Sequence, residues 1–427
     1  MVISKDTIKD LLDMVRKETI PAIGCTEPVA VGYASAVARK HLEGKIESIS
    51  VNVSLSIFKN GKSVMIPNTK ECGLDLAAVL GAISGEPEDG LCIFKRANQK
   101  HLDEAHEMIS RKVAKVSWAL NTPDIYVEII MNDANNTVSV VLKNSHDHIE
   151  SIEVNGELVY EDKPENKGET STGFLGKLNF KEMREICEEV HIEELRFIED
   201  GIQMNKKAAE EGLKSKNGLG WGASLLFLQK QGKLSADASQ KARILTAAGA
   251  DIRMGGGDCP IMTSAGSGNQ GLGVILPIVV VAEERGVEKE KLYRAIFYAH
   301  IINKFVKEYT GKLSALCGCA IAAGVGASAA IAWMLEGDDN QISGAVQNMI
   351  ANLTGMLCDG AKETCALKLS TSAGEAVLAA YLACENVIVK ANTGILGGTA
   401  EETIKNLGTL CNKGLTLTNE VIVGIMT

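Results

Sequence analysis

Apolar residues recur at helical spacing over residues 4–19, where Ile8, Leu11, Leu12 and Val15 form one stripe, and Pro21 ends the pattern. A second helix is predicted to begin near Pro28. From Ile49 the period changes to two. Ile49, Val51, Val53, Leu55 and Ile57 alternate with polar residues, and Asn60-Gly61 is expected to turn the chain back through Val64 and Ile66 as a β-hairpin. Strand character returns over 125–131, 138–142 and 149–160, the last with its own Asn155-Gly156 turn. After the charged stretch 161–172 no alternating run follows, and Ala, Gly and Leu recur at helical spacing. The expected fold class is α+β: an N-terminal α+β domain over residues 1–170, then an all-α, Ala/Gly-rich domain over residues 171–427.

Residues 313–335 carry no charge over 23 positions, long enough to raise a membrane span. Small residues and Gly318, Gly324 and Gly326 dominate the stretch, so a packed helix in a large core is the preferred reading. There is no repeat of about 20 to 50 residues of the kind that marks a solenoid.

The 427 residues are 45% hydrophobic, a globular composition that excludes a disordered or collagen-like chain. Lys and Arg number 44 against 54 Asp and Glu, a net charge of −10 with no basic run, so nucleic acid is not an expected partner. Charges throughout residues 5–16 leave no apolar core for a secretory signal, and a cytoplasmic location is expected. Eleven cysteines in such a compartment are buried thiols, nucleophiles or metal ligands. Cys92, Cys187, Cys384 and Cys411 read as buried thiols.

Three segments could carry chemistry. In Gly24-Cys25-Thr26-Glu27-Pro28 the N-cap would be Thr26 or Glu27, and the helix N-terminus would favour a Cys25 thiolate as base or nucleophile; simple packing is the alternative. The glycine-rich run 255–271 matches neither a P-loop nor a dinucleotide fingerprint. Its backbone amides suit a small carboxylate, with close helix packing as the alternative. Cys317, Cys319, Cys358 and Cys365 include no CxxC pair. Three thiolates can hold an iron–sulfur cluster with one iron open, but on spacing alone inert buried thiols are the preferred reading. His300, in an apolar helical segment, reads as a hydrogen-bonded core residue, and the other six histidines are expected to face water.

Taken together and in order, segments 24–28, 264–271, 313–324 and 354–367 give a chain that resembles the L-cysteine desulfidase family, relatives of the iron–sulfur L-serine dehydratase alpha chain. The resemblance implies a lyase that needs no pyridoxal phosphate and converts L-cysteine to pyruvate, ammonia and sulfide. It implies a [4Fe–4S] cluster on Cys358, Cys365 and a first ligand that is Cys319 or Cys317. Cys319 is preferred because Gly324 and Ser328 follow it at family spacing. It implies Cys25 as proton acceptor, with Thr26, Ser264, Gly266, Ser267, Gly268 and Asn269 toward the amino-acid substrate. One departure is Asn68-Thr69-Lys70 where relatives carry Gly-Thr-Gly. L-serine dehydration at the same site, or a non-catalytic amino-acid-binding protein, are the alternatives. The Ala/Gly-rich half suggests a homodimer.

Overall fold

The computed structural model describes residues 5–162, 172–215 and 217–427. Most of the predicted linker, 163–171, lies outside them. The fold class is α+β, as expected. The first stripe forms the helix Lys5–Glu18, but its buried residues Leu11, Leu12 and Val15 join the C-terminal helical core, not the sheet.

Among the described residues eight strands form: β1 (Pro21–Ala22), β2 (Ser48–Ser54), β3 (Ala114–Ala119), β4 (Tyr126–Asn132), β5 (Thr137–Lys143), β6 (Ile149–Val154), β7 (Glu157–Glu161) and β8 (Ile261–Met262). Six make one sheet in the order β3-β2-β4-β5-β6-β7, antiparallel except at β2–β3. Alternation turns Val127, Ile129 and Met131 of β4, and Val138, Val140 and Leu142 of β5, to one buried face. The helix Thr26–Lys40 packs against these two strands. Asn155 and Gly156 turn β6 into β7 with φ of 54° and 82°, the positive values a tight hairpin turn needs.

The first expected hairpin does not form. Ser54 ends β2 and caps a helix, Leu55–Gly61, its side chain accepting from the Ile57 amide at 3.2 Å. Asn60-Gly61 closes that helix instead of a turn, and Val64 and Ile66 are buried in irregular chain. Tertiary contacts explain the override: Lys59 donates to the Cys358 carbonyl at 2.9 Å and to Asn419 Oδ1 at 2.7 Å, and Asn60 donates to Glu27 Oε1 at 3.1 Å. Buried polar groups with these partners outweigh a local alternating pattern. The parallel edge strand β3 was not anticipated either.

The C-terminal region is helical except for β8, which pairs antiparallel with β1, Pro21 opposite Met262 and Ala22 opposite Ile261. This short pairing joins the chain just before Cys25 to the chain just before Ser264. The charge-free stretch becomes the helix Ile321–Met334, buried on every side, with residues 313–320 outside it. Leu316 bridges Leu357, so the two cysteine segments lie side by side. Among the described residues no helix is long and apolar enough to cross a membrane.

Candidate active site

Cys25 is itself the N-cap of helix Thr26–Lys40, at φ −96° and ψ 137°, and makes no capping bond. The expectation of Thr26 or Glu27 at that position is corrected. Its thiol donates to Glu27 Oε2 at 2.9 Å. The favoured thiolate is corrected too: burial and the Glu27 carboxylate raise the Cys25 pKa, against a smaller lowering by Arg253. Glu27 is buried, which works against ionisation. The His146 charge and the hydrogen bonds from Cys25 and Asn60 nonetheless hold its carboxyl below the usual range. The resting pair is therefore thiol and carboxylate.

Gly24, at φ +68°, needs its missing side chain, since a Cβ would meet Pro67 Cγ at 2.5 Å. The departing loop follows at once. Asn68 and Lys70 keep left-handed backbone, φ 65° and 69°, and Thr69 Oγ1 donates to the Ile66 carbonyl at 2.9 Å. Two non-glycine residues thus hold left-handed backbone behind Gly24, at a strain of about 1 kcal/mol per residue.

A cavity of about 620 Å³ opens in front of Cys25. Thr26, Gly266, Ser267 and Asn269 line it, as do Cys317, Cys319, Cys358 and Cys365. Ser264 does not line it. It is buried behind the turn, its Oγ 2.7 Å from His300 Nδ1 and accepting from Asn303 Nδ2 at 2.9 Å. Gly268 opens the helix Gly268–Arg285, where Ser267 is the N-cap without a side-chain bond. Backbone amides at that N-terminus favour an anion. His300 is the hydrogen-bonded core histidine expected, its pKa lowered by burial to about 3.

Backbone hydrogen bonds tie the Cys317 and Cys358 segments together. The Cys317 amide donates to the Met356 carbonyl at 2.9 Å and the Cys358 amide to the Ala315 carbonyl at 2.8 Å. Cys365 begins the helix Cys365–Cys384; burial first, then Cys317, push its thiol up to about 12. A hydrogen bond with Cys319, then burial, raise Cys317. Cys319 Sγ stands 4.0 Å from Ser267 Oγ. Two lysines face this set from the cavity wall, the buried Lys307 and Lys368, the latter also bound to Asp359.

A match to the serine dehydratase alpha chain spans residues 89–424. The chain belongs to that family. A UPF0597 protein of Clostridium botulinum (strain Okra / Type B1) is 55% identical over 425 residues, 99% of this chain and 98% of the relative. A UPF0597 protein of Clostridium tetani is 40% identical over 419 residues, 97% of each chain. One from Caldanaerobacter subterraneus subsp. tengcongensis is 41% identical over 424 residues, 98% of this chain and 99% of the relative. All four clustered cysteines fall inside the serine dehydratase alpha chain match. Cys25, Glu27 and Asn60 precede it but lie in the region shared with these relatives.

Several cavity residues of this serine dehydratase alpha chain relative escaped sequence reasoning. His146 was expected to face water; it lines the cavity, 3.5 Å from Thr26 Oγ1, and burial lowers its pKa. His148 lines it as well. Asn60, which the sequence pattern places in a turn, lines it too. Arg253 and Lys307 were not singled out, although a charge inside an Ala-rich or apolar helical run was the available signal. Of the cysteines read as buried thiols, Cys187 and Cys411 are buried and Cys384 is half-buried, but Cys92 is exposed at the end of the short surface turn Pro87–Cys92.

Proposed function

We propose that the chain is an iron–sulfur-dependent L-cysteine desulfidase, a lyase that converts L-cysteine and water to pyruvate, ammonia and hydrogen sulfide without pyridoxal phosphate. The observation that carries this reading is one cavity lined by both the Cys25 thiol and the Cys317, Cys319, Cys358 and Cys365 cluster. The donor chemistry fits a cluster: soft thiols share a small volume, and Lys307 and Lys368 are there to balance thiolate charge. Among the described residues no three His, Cys, Asp or Glu side chains gather tightly enough for a single metal ion. A [4Fe–4S] cluster spreads its ligands over separate irons, so that spacing does not count against it. Held by Cys319, Cys358 and Cys365, with Cys317 as the alternative first ligand, it would supply a Lewis-acidic iron for the leaving group.

The chain's own groups supply the proton chemistry. Cys25 passes its proton to Glu27 Oε2, and the thiolate removes the substrate α-proton. The electron pair of the broken Cα–H bond forms the Cα=Cβ bond while the Cβ–S bond breaks and sulfide departs. The aminoacrylate released tautomerises and hydrolyses to pyruvate and ammonia. Thr26, Gly266, Ser267 and Asn269 orient the substrate, Gly268 contributes the helix N-terminus, and Ser264 holds the turn from behind. Anaerobically purified, reconstituted protein given L-cysteine should yield equal sulfide and pyruvate; production of neither defeats the assignment.

The match to the serine dehydratase alpha chain favours a second reading, dehydration of L-serine by the same steps with hydroxide as leaving group. The ratio of kcat/KM for the two amino acids decides between them. We further propose a cytoplasmic homodimer with a boundary between its two domains near residue 170. A monomer mass in solution at micromolar protein would contradict the dimer.

A further inference from the structure

Arg253 stands near the C-terminal end of the helix Ala238–Met254 and is 4% exposed. It lines the cavity, yet its Nε has no hydrogen-bond partner and no carboxylate lies within ion-pair distance among the described residues. Of the other buried basic side chains beside the cysteines, Lys59 is bonded to the Cys358 carbonyl and Asn419, and Lys307 faces Cys319 and Cys358. A guanidinium taken out of water without an acceptor is unfavourable, and it cannot shed its proton as a buried lysine does.

Its surroundings add to the imbalance. Gly268, first residue of helix Gly268–Arg285, lies against it so closely that a Cβ there would be 2.5 Å from Arg253 Nε. Two positive features, the guanidinium and a helix N-terminus, therefore meet at one wall of the cavity. An anion entering between them resolves both, and a carboxylate matches the planar fork of the guanidinium.

The position also says which anion. The α-carboxylate and the α-proton of an amino acid share one carbon, so the group that holds the first must stand beside the group that takes the second. Met254, the next residue, packs on Cys25, and Arg253 is close enough to act on the thiol's charge. Lys307 acts instead on Cys319 and Cys358. We propose that Arg253 anchors the substrate's α-carboxylate, setting the α-carbon before Cys25 and restricting substrates to amino acids with a free carboxyl group. This rests on the elimination reading, and it adds a side-chain anchor to the glycine-rich loop.

The test is calorimetric binding of L-alanine, which has no leaving group, and of L-alaninamide, which lacks the carboxylate, to anaerobically reconstituted protein. Wild type should bind L-alanine at least tenfold more tightly than the amide. Arg253→Gln should lose that preference. Arg253→Lys, the safeguard if the Gln variant does not fold, should weaken L-alanine several-fold with little change for the amide, because a point charge replaces a two-pronged contact. Equal binding of acid and amide by wild type, or undiminished preference in either variant, overturns the proposal. Failure of the elimination reading shows separately, as no pyruvate from L-cysteine or L-serine in a protein whose L-alanine binding still depends on Arg253.

Discussion

The Cys25 thiol donates a 2.9 Å hydrogen bond to Glu27 Oε2, two residues along the same helix start. Because the carboxylate is held by Asn60 as well, the thiol's proton has a fixed acceptor, and Cys25, Glu27 and Asn60 all line the cavity. Burial and this carboxylate keep the proton on sulfur at rest, and the same carboxylate is the acceptor the proton must move to before Cys25 can act as a base.

Glu27→Gln should therefore cut kcat by about 10²- to 10⁴-fold, the usual worth of a positioned proton acceptor, with iron content unchanged. The variant also predicts a pH effect. The Glu27 pKa in the folded protein lies below its ordinary 4.5, so its stabilisation is complete above that value and is lost as pH falls through the lower folded value. Denaturation midpoints measured from pH 6 downward should fall less steeply for the Gln variant than for wild type below about pH 4.5.

Ser264→Ala tests the back of the glycine-rich turn. The hydroxyl serves His300 and Asn303 together, and removing it leaves two buried polar groups short of a partner, at a cost of about 1–3 kcal/mol. Since Ser264 does not reach the cavity, KM should rise through displacement of Ser267 and Asn269 more than kcat falls. A variant with wild-type stability and KM would remove this role.

His300 gives a separate acid signature. Unfolding releases it to an ordinary pKa of 6.5, whereas burial holds it near 3 in the folded chain. Its contribution is full above 6.5 and is lost as pH falls from 6.5 toward 3, with a slope of at most about 1.4 kcal/mol per pH unit. His300→Gln should flatten the loss of stability between pH 6 and pH 4 in denaturant titrations.

Much of this arrangement was legible in the chain. The periodicity located β4, β5 and the β6–β7 hairpin; residue types marked Cys25, the Ser264 turn and the four clustered cysteines only as candidates, and the family resemblance supplied their expected roles. What escaped has physical causes. The helix Leu55–Gly61 exists because Lys59 and Asn60 find partners that stand up to 360 residues away in the chain, beyond any local pattern. The β1–β8 pairing is only two residues long, too short to show a period, yet it brings the Cys25 and Ser264 loops together. His146 looks like an ordinary surface charge in one dimension, and Arg253 differs from one only by the Ala-rich helical run that precedes it. Only the folded packing shows that neither faces open solvent.

The cysteines divide by role, and substitution separates the roles. Cys358→Ala and Cys365→Ala should lower bound iron and activity together, because losing a ligand undoes the site that the metal completes. Cys25→Ala should keep its iron and lose turnover, since a base acts on the substrate proton without holding metal. Cys317 and Cys319 form the internal comparison. Cys317 is buried at 4% exposure and has its amide bonded to the Met356 carbonyl, whereas Cys319 is half-buried and reaches Ser267 across the cavity. Only one of the two Ala variants should lose iron, and the expected one is Cys319→Ala. Iron and sulfide assays on the anaerobically reconstituted variants, run beside pyruvate formation, read all of this. Loss of iron in Cys25→Ala, or full iron and activity in Cys358→Ala, would overturn the division.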